Sequence, residues 1–180
     1  MPDASRSAPT ITACPETGLA SILLRRGAAA AVSRAFQAQC QLDLPLPGRL
    51  TTAAGTALLW NGPDHFLAVV DSREAGFARE LAVLLDGLAY VVEASSSRVV
   101  LSVAGDGAVE ALSRLLPIDL HARVFSPGSV ALTMAGHIAV QVWRPDPDSF
   151  RIACPSSLAV SFRRQLVLAG FGMHPPVRDG

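Results

Sequence analysis

The sequence predicts an α+β fold, with an antiparallel or mixed sheet, helices packed on one side of it and two related strand–helix lobes. Three observations predict this class. Short apolar runs with the period of a strand come in neighbouring groups, and a helical pattern follows each group. No GxGxxG loop follows a first strand, which argues against a dinucleotide-binding fold. A unit of strand, short break and helix recurs, from Phe66 to Leu81 and from Phe150 to Leu166.

Residues 1–55 are expected to form an N-terminal arm that lies on a neighbour or on the main domain. Its first ~15 residues are expected to be mobile, as chain termini often are. One helix is predicted in the arm, over "LASILLRRGAAAAVSRAFQAQC" (residues 19–40), although Gly27 weakens its middle. Pro45 and Pro47 then stop any helix.

The main domain is expected over residues 56–172, followed by a tail over 173–180. Its first strands are "LLW" and "HFLAVVD", and the residues between them, Asn61, Gly62, Pro63 and Asp64, have the composition of a turn. A helix is predicted over "REAGFARELAVLLDG", because it places four apolar side chains on one face and Gly87 follows as a stop. These side chains are Phe77, Leu81, Leu84 and Leu85.

The remaining elements continue the pattern. "LAYVVEA" and "SRVVLSVAG" have a strand period, with residues 95–97 as the turn between them. Asp106 is expected to cap a second helix that ends before Pro117. "SVALTMA" and "HIAVQVW" predict a hairpin, "DSFRIAC" predicts a further strand, and Ser156 is expected to cap a last helix with Phe162 and Leu166 on its inner face.

Composition excludes several functional classes. Fifteen basic and fifteen acidic residues cancel, so no global field favours nucleic acid or an anionic membrane. All fifteen basic residues are Arg, which excludes a lysine Schiff base and a Walker phosphate loop.

The chain is also unusually apolar. It is 50% hydrophobic and 17% charged, with a mean hydropathy of +0.36. Such a chain has more apolar surface than it can bury alone, which indicates a subunit with an obligate interface. A high content of small alanine side chains is the alternative source of this apolar character.

The cysteines and the termini predict a cytoplasmic location. Cys14, Cys40 and Cys154 are odd in number and lack CxxC spacing, so reduced thiols are expected rather than a disulfide framework or a zinc site. The N-terminus has no apolar signal core, and no apolar run reaches the ~20 residues that a membrane span needs.

Two segments contain Asp and His close together in sequence and are candidate sites. Asp64 and His65 are adjacent at the start of a strand and would point to opposite faces, so a turn is favoured there. In "PIDLHARVFSPGS", Asp119, His121, Arg123 and Phe125 alternate, so in an extended segment they would share one face. This second set predicts either a buried connection stabilised by Arg123 or a subunit contact, with acid–base chemistry as a more remote alternative.

No constellation supplies a nucleophile, a base and an orienting group together. The four histidines have unrelated spacings, so no metal site is predicted. The glycines of "VAGDGAVEAL" suggest a phosphate cradle, but Asp106 would repel the anion and is better explained as a cap. We therefore predict no catalytic, cofactor-binding or metal-binding residues in this chain. The candidate partner-interface or structural residues are Trp60, Asp119, His121, Arg123 and Phe125.

The order of motifs resembles the gamma subunit of heterotetrameric sarcosine oxidase. That family shows a Trp-x-Gly-Pro-Asp turn before an apolar strand, a Ser-Arg-Val strand, and a helix ending in Pro-hydrophobic-Asp-Leu-His-x-Arg-x-Phe. The resemblance covers residues 56–170 and leaves the N-terminal arm unmatched. The corresponding residues are Gly62, Pro63, Asp64, Ser97, Arg98, Pro117, Asp119, Leu120, His121, Arg123, Phe125 and Gly128.

The resemblance implies a non-catalytic subunit of a complex that oxidatively demethylates sarcosine. It implies a fold like the folate-binding domain of aminomethyltransferases of the T-protein type. FAD, FMN, NAD and tetrahydrofolate would be bound by the partner subunits, and the alpha subunit would be the main contact beside beta and delta subunits. The alternative is a stand-alone folate-binding or one-carbon transfer protein on the same fold.

Overall fold

The computed structural model describes residues 9–72 and 76–173. The chain divides into two units, one formed by Glu16–Ser97 and the other by Met1–Pro15 together with Arg98–Gly180. We call these the contiguous unit and the split unit. Each combines one sheet with helices, so the predicted α+β class with two strand–helix lobes is confirmed.

The contiguous unit contains a five-stranded antiparallel sheet in the order β3-β4-β5-β2-β6. Its core joins one face of this sheet to the two helices, through Phe36 of the first helix and Leu81 of the second. The elements are β2 (Gly18–Leu24), α1 (Ala29–Cys40), β3 (Leu50–Ala53), β4 (Thr56–Gly62), β5 (His65–Val70), α2 (Phe77–Leu84) and β6 (Ala89–Glu93).

The split unit contains a six-stranded mixed sheet in the order β11-β1-β7-β10-β9-β8. The β1–β11 pair is parallel and the other pairs are antiparallel. Phe162 and Leu166 of the last helix are fully buried in its core. The elements are β1 (Thr10–Ala13), β7 (Arg98–Ala104), α3 (Ala108–Ser113), β8 (Val130–Ala135), β9 (Ile138–Asp146), β10 (Ser149–Pro155), α4 (Ala159–Leu168) and β11 (Gly172–Met173).

The helix predicted over residues 19–40 is wrong in its first half. β2 occupies that part and lies between β5 and β6, where Ala20, Ile22 and Leu24 are buried and Leu23 is 48% exposed. This two-residue alternation is that of a strand. Gly27, with φ of 76°, lies in the turn that separates β2 from α1. The predicted period was wrong because leucine and alanine suit both structures.

The division into domains also differs from the expected one. Residues 1–55 do not form a separate arm, because β1 is an interior strand of the split unit and β2 is an interior strand of the contiguous unit. The changes of unit fall after Pro15 and after Ser97 rather than at residue 55. Of the ~15 residues expected to be a mobile start, 1–8 lie outside the described residues, whereas Thr10–Ala13 form β1 and are therefore held in a sheet. Residues 174–180 of the expected tail also lie outside the described residues.

Residues 95–97 do not join a hairpin. β6 pairs with β2 and β7 pairs with β1 and β10, so this turn carries the chain from one sheet to the other. Ser95 instead accepts a hydrogen bond from the backbone N–H of Leu19 to its Oγ, at 2.8 Å.

Both predicted helix caps are wrong. α3 begins after Gly107, whose φ is 81°, and no side chain caps it. Ser156 lies in a short 3₁₀ turn, Ser156–Leu158, that precedes α4, and Leu158 is the residue before that helix. In both places the backbone turns without a side-chain acceptor, which residue type alone did not reveal.

The other predicted elements are confirmed. They are the strands on either side of the 61–64 turn, α2 with Leu81 buried and Leu85 buried just after its end, the β8–β9 hairpin, β10, and α4. Residues 73–75 of the helix predicted around α2 lie outside the described residues. Within residues 9–72 and 76–173, no helix has both the length and the apolar character that crossing a bilayer requires.

Candidate functional site

The turn beside Asp64 and His65 is a connection between two antiparallel strands. β4 ends at Gly62 and β5 begins at His65, with a register shift between Trp60 and Gly62. Asp64 has a left-handed φ of 54°, and its carbonyl accepts a hydrogen bond from the N–H of Leu24 at 2.8 Å. Asp64 therefore shapes the backbone, and the turn interpretation is confirmed.

His65 faces a serine that the sequence analysis missed. Ser21 Oγ lies 2.8 Å from His65 Nε2, and the side-chain nitrogen of Asn61 lies 3.0 Å from the same ring atom. The register places Leu23 opposite His65, so Ser21, two residues away on the same face of β2, reaches the ring diagonally. The strand period of residues 18–24 was the signal in the sequence that could have placed Ser21 near His65. It was missed because those residues were predicted to be helical. The three side chains are half-buried and link three adjacent strands.

Trp60 is half-buried against the core of the contiguous unit. It is opposite Phe66 across the β4–β5 ladder, and its backbone N–H donates to the carbonyl of Arg49 at 3.0 Å. These contacts give Trp60 a packing role. Its part in a partner interface stays a prediction.

The segment from Asp119 to Phe125 is a turn rather than an extended run. The N–H groups of Val124 and Phe125 donate to the carbonyl of His121 at 2.9 and 2.8 Å. Asp119 Oδ1 accepts from the N–H of His121 at 2.8 Å, and His121 Nδ1 accepts from the N–H of Arg123 at 3.3 Å. The predicted common face is therefore wrong, because these polar side chains bond to the local backbone and bend the chain.

The residues of the turn from Asp119 to Phe125 differ in how far they are buried. Asp119, His121 and Arg123 are exposed, so the predicted buried connection does not hold for them, whereas Phe125 is buried. Phe125 stacks on Phe150, with ring centroids 6.3 Å apart. The turn is anchored by its aromatic side chain and presents its polar groups to the surface, where a subunit contact remains a prediction.

Arg144 holds the turn in place and was also missed. Its Nη1 donates to the carbonyl of Phe125 at 3.0 Å, its Nη2 donates to the carbonyl of Pro147, and its guanidinium lies 5.0 Å above the ring of Phe150. Arg144 is buried, and among the described residues its Nε has no hydrogen-bond partner. The signal in the sequence was one arginine at the end of the apolar run "HIAVQVW".

His121 and Arg144 line a cleft of about 510 Å³ in the split unit. Asp106, Glu110 and Asp148 also lie on its lining, which therefore carries three carboxyl groups and one buried guanidinium. Its twelve lining residues include no serine, threonine, cysteine or lysine. The lining of this cleft therefore offers no hydroxyl or thiol that His121 could activate, and acid–base chemistry by His121 stays a prediction.

Cys40 and Cys154 are shielded thiols. Burial raises the pKa of both, which lowers the fraction of reactive thiolate. Cys40 lines a mostly apolar cavity of about 590 Å³ beside α1 and α2. Across the described ranges, no group of three or more His, Cys, Asp or Glu residues is arranged to hold a metal ion.

Two exposed apolar patches stand apart from these clusters. In the contiguous unit, Leu23, Tyr90 and Val92 project from β2 and the edge strand β6. In the split unit, Val160, Val167 and Leu168 lie on the outer side of α4 beside Arg163 and Arg164. Patches of this kind mark interaction surfaces.

Comparison with known proteins finds relatives that share one name. The chain is 38% identical over 101 residues to sarcosine oxidase subunit gamma from Arthrobacter sp., covering 56% of this chain and 49% of the relative. It is 37% identical over 98 residues to the subunit of the same name from Corynebacterium sp. strain P-1, covering 54% and 48%. The chain thus spans about half the length of the curated relatives it matches. No family model matches it.

Two solved structures share the fold. A chain of heterotetrameric sarcosine oxidase from Corynebacterium sp. U-96, in complex with pyrrole 2-carboxylate, superposes with a TM-score of 0.81 and 28% identity, covering 92% of this chain and 85% of that one. Aminomethyltransferase T of the glycine cleavage system from Bartonella henselae gives a TM-score of 0.69 at 16% identity, covering 95% and 48%. At 16% identity, the likeness to aminomethyltransferase T shows a shared fold only. The predicted resemblance is confirmed: the chain is similar in sequence to sarcosine oxidase gamma subunits and in fold to a chain of the heterotetrameric enzyme.

Proposed function

We propose that this chain is a non-catalytic accessory subunit of a heterotetrameric sarcosine oxidase. The observation that carries the proposal is the agreement of two likenesses, 38% identity to a gamma subunit and a TM-score of 0.81 to a chain of the assembled enzyme. The second likeness extends over 92% of the chain, so it includes most of residues 1–55, for which sequence reasoning had found no counterpart.

The geometry of the polar clusters supports a structural role. The side chains of Asp119 and His121 bond to backbone N–H groups, and Arg144 bonds to two backbone carbonyls. Groups used in this way fix the shape of a surface. In the proposed complex, the oxidative demethylation of sarcosine takes place in the partner subunits.

The partners and cofactors follow from the same proposal. The alpha subunit is the main contact, and beta and delta subunits complete the assembly. FAD, FMN, NAD and tetrahydrofolate are bound by the partner subunits and none by this chain. The assembly is cytoplasmic.

The alternative, a stand-alone folate-binding or one-carbon transfer protein, has weaker support. Its basis is the likeness to aminomethyltransferase T, and 16% identity carries the fold without the ligand. Calorimetry of the isolated chain with tetrahydrofolate separates the two proposals. Heat of binding is expected from a folate-binding protein and not from the accessory subunit.

Co-expression tests the main proposal. The tagged chain is produced with the candidate flavin-containing subunits of its source organism, and the purified material is assayed for flavin absorbance and sarcosine-dependent oxygen consumption. We expect stoichiometric co-purification and activity. The proposal would be contradicted if the chain purified without the flavoprotein subunits and those subunits assembled and oxidised sarcosine in its absence.

A variant of the same complex tests the non-catalytic assignment. His121→Ala is expected to leave kcat of the assembled enzyme unchanged, since His121 bonds to the backbone of its own turn. A loss of about 100-fold in kcat with assembly intact would instead indicate general acid–base catalysis by this residue.

A further inference from the structure

Helix α4 has two apolar faces. Phe162 and Leu166 point into the core of the split unit and are fully buried. On the opposite side, Leu168 is 87% exposed and Val160 is 66% exposed. A helix that only covers a sheet needs one apolar stripe and a polar outer side, so the second face requires another explanation.

The second face also carries charge of one sign. Arg163 and Arg164 line it together with Val160, Val167 and Leu168, and we call these five residues the α4 outer face. The helix contains no Asp or Glu, so the two arginines have no acidic neighbour on it. Within the described part of the chain, neither guanidinium has a recorded hydrogen bond or ion pair. The chain as a whole is neutral, which makes this a local positive patch.

We propose that the α4 outer face docks onto a partner subunit of the oxidase through a surface that is apolar at its centre and bears carboxylates at its edge. This inference rests on the function proposed above. Arginine forms two-pronged hydrogen bonds with carboxylates, and its stem packs on apolar groups, so an acidic, apolar surface satisfies both components of the face.

The positive charge of the α4 outer face argues against a second copy of this chain as its binding partner. A symmetric dimer places the same patch of each protomer against its counterpart. Two positive patches, each with Arg163 and Arg164, would then face each other, and no acidic residue of α4 could compensate their charge. The face is also small, because a stable interface covers about 800 Å² on each partner. It is therefore one part of a larger contact.

A matched pair of double variants tests the proposal in the co-expressed complex. Arg164→Glu with Leu168→Ser changes an exposed arginine and an exposed leucine one turn apart on α4. The control, Arg79→Glu with Val83→Ser, makes the same kind of change on exposed positions one turn apart on α2. Affinity for the partner subunits is measured at low and high salt, with the thermal midpoint of each free chain as the check on folding.

We expect the α4 variant to lose about 10-fold or more in affinity, since exchanging an apolar anchor and reversing a charge both weaken a complementary contact. The control should bind like the unaltered chain, and both free chains should keep their thermal midpoint because the four positions are exposed. The unaltered complex should weaken with salt, and the α4 variant should show a smaller salt dependence.

Each contrary result has a separate meaning. If the unaltered chain assembles and the α4 variant assembles equally well, the docking face is wrong while the proposed function stands. If the free chain is a dimer that the α4 variant abolishes, or if it binds anionic vesicles through this face, the occupant is wrong. If the unaltered chain fails to assemble, both the function and this inference are overturned.

Discussion

The two units use similar elements but are held together by different kinds of contact. In the contiguous unit, local pairs such as β4–β5, with its two-residue turn, are joined to β2, which pairs with β5 and β6 across about forty to seventy residues of chain. In the split unit, β1 pairs with β7 across about ninety residues of chain, and a buried arginine joins two loops to β9. The difference is that one continuous stretch of chain forms the contiguous unit, whereas the split unit is assembled from two separate stretches and anchored by a buried arginine. In both units the local hairpins follow from the sequence pattern, and the long-range strand pairs do not.

Phe162→Ala should produce the largest effect, a loss of about 3–5 kcal/mol in the free energy of unfolding, because it empties a fully buried aromatic site of the split unit. Phe36→Ala is the counterpart in the contiguous unit, where Phe36 is also fully buried. Chemical denaturation measures both. A loss below about 1 kcal/mol for Phe162→Ala would contradict its place in the core.

Arg144→Met comes next, with an expected loss of about 2 kcal/mol in the free energy of unfolding. The carbonyls of Phe125 and Pro147 lose their hydrogen-bond donor, whereas Met retains an apolar stem of similar length. Arg123→Met, at an exposed position of the same turn, is the control and should change stability by less than about 0.5 kcal/mol. Urea unfolding compares the two. Equal losses would mean that the anchor of this turn was assigned to the wrong arginine.

Ser21→Ala should cost about 1 kcal/mol, the usual net value of one partly buried hydrogen bond, here to His65. The change acts on a link between neighbouring strands of the contiguous unit. NMR of the imidazole, before and after substitution, should show a changed nitrogen shift. An unchanged spectrum and an unchanged unfolding curve would show that the serine does not bond to the ring.

The smallest effect concerns Asp146 in the β9–β10 turn. Desolvation raises the pKa of this carboxyl, but hydrogen bonds from Ser149 Oγ and from backbone N–H groups outweigh it, so the pKa lies below the usual 3.8. A depressed folded pKa contributes stability above the unfolded pKa and loses it as pH falls through the folded value. Ser149→Ala should therefore raise the pKa of Asp146 in an NMR titration and reduce the acid sensitivity of stability.

Sequence patterns predicted most of the elements but not all of their partners. The short apolar run in "HIAVQVW" and the turn residues between β4 and β5 were sufficient for those strands. They failed for β2, because "LASILL" satisfies a helical pattern as well as a strand pattern until its neighbours are known. The link between Ser21 and His65, and the bonds from Arg144, depend on residues brought together by the sheet and by the 117–129 loop. No spacing along the chain encodes them.

The pairing of β2 with β6 has a consequence for how the chain can fold. Ala20 is opposite Glu93, and the N–H of Ala94 donates to the carbonyl of Leu19, so the folded contiguous unit brings its own two ends together. β1 and β7 continue directly from those ends, and Cys14 already bonds to Val100. Closing this ninety-residue loop in advance removes about 4 kcal/mol of closure entropy, from (3/2)RT ln n, from the assembly of the split unit. We therefore expect the contiguous unit, Glu16–Ser97, to fold first and to bring β1 and β7 together for the split unit.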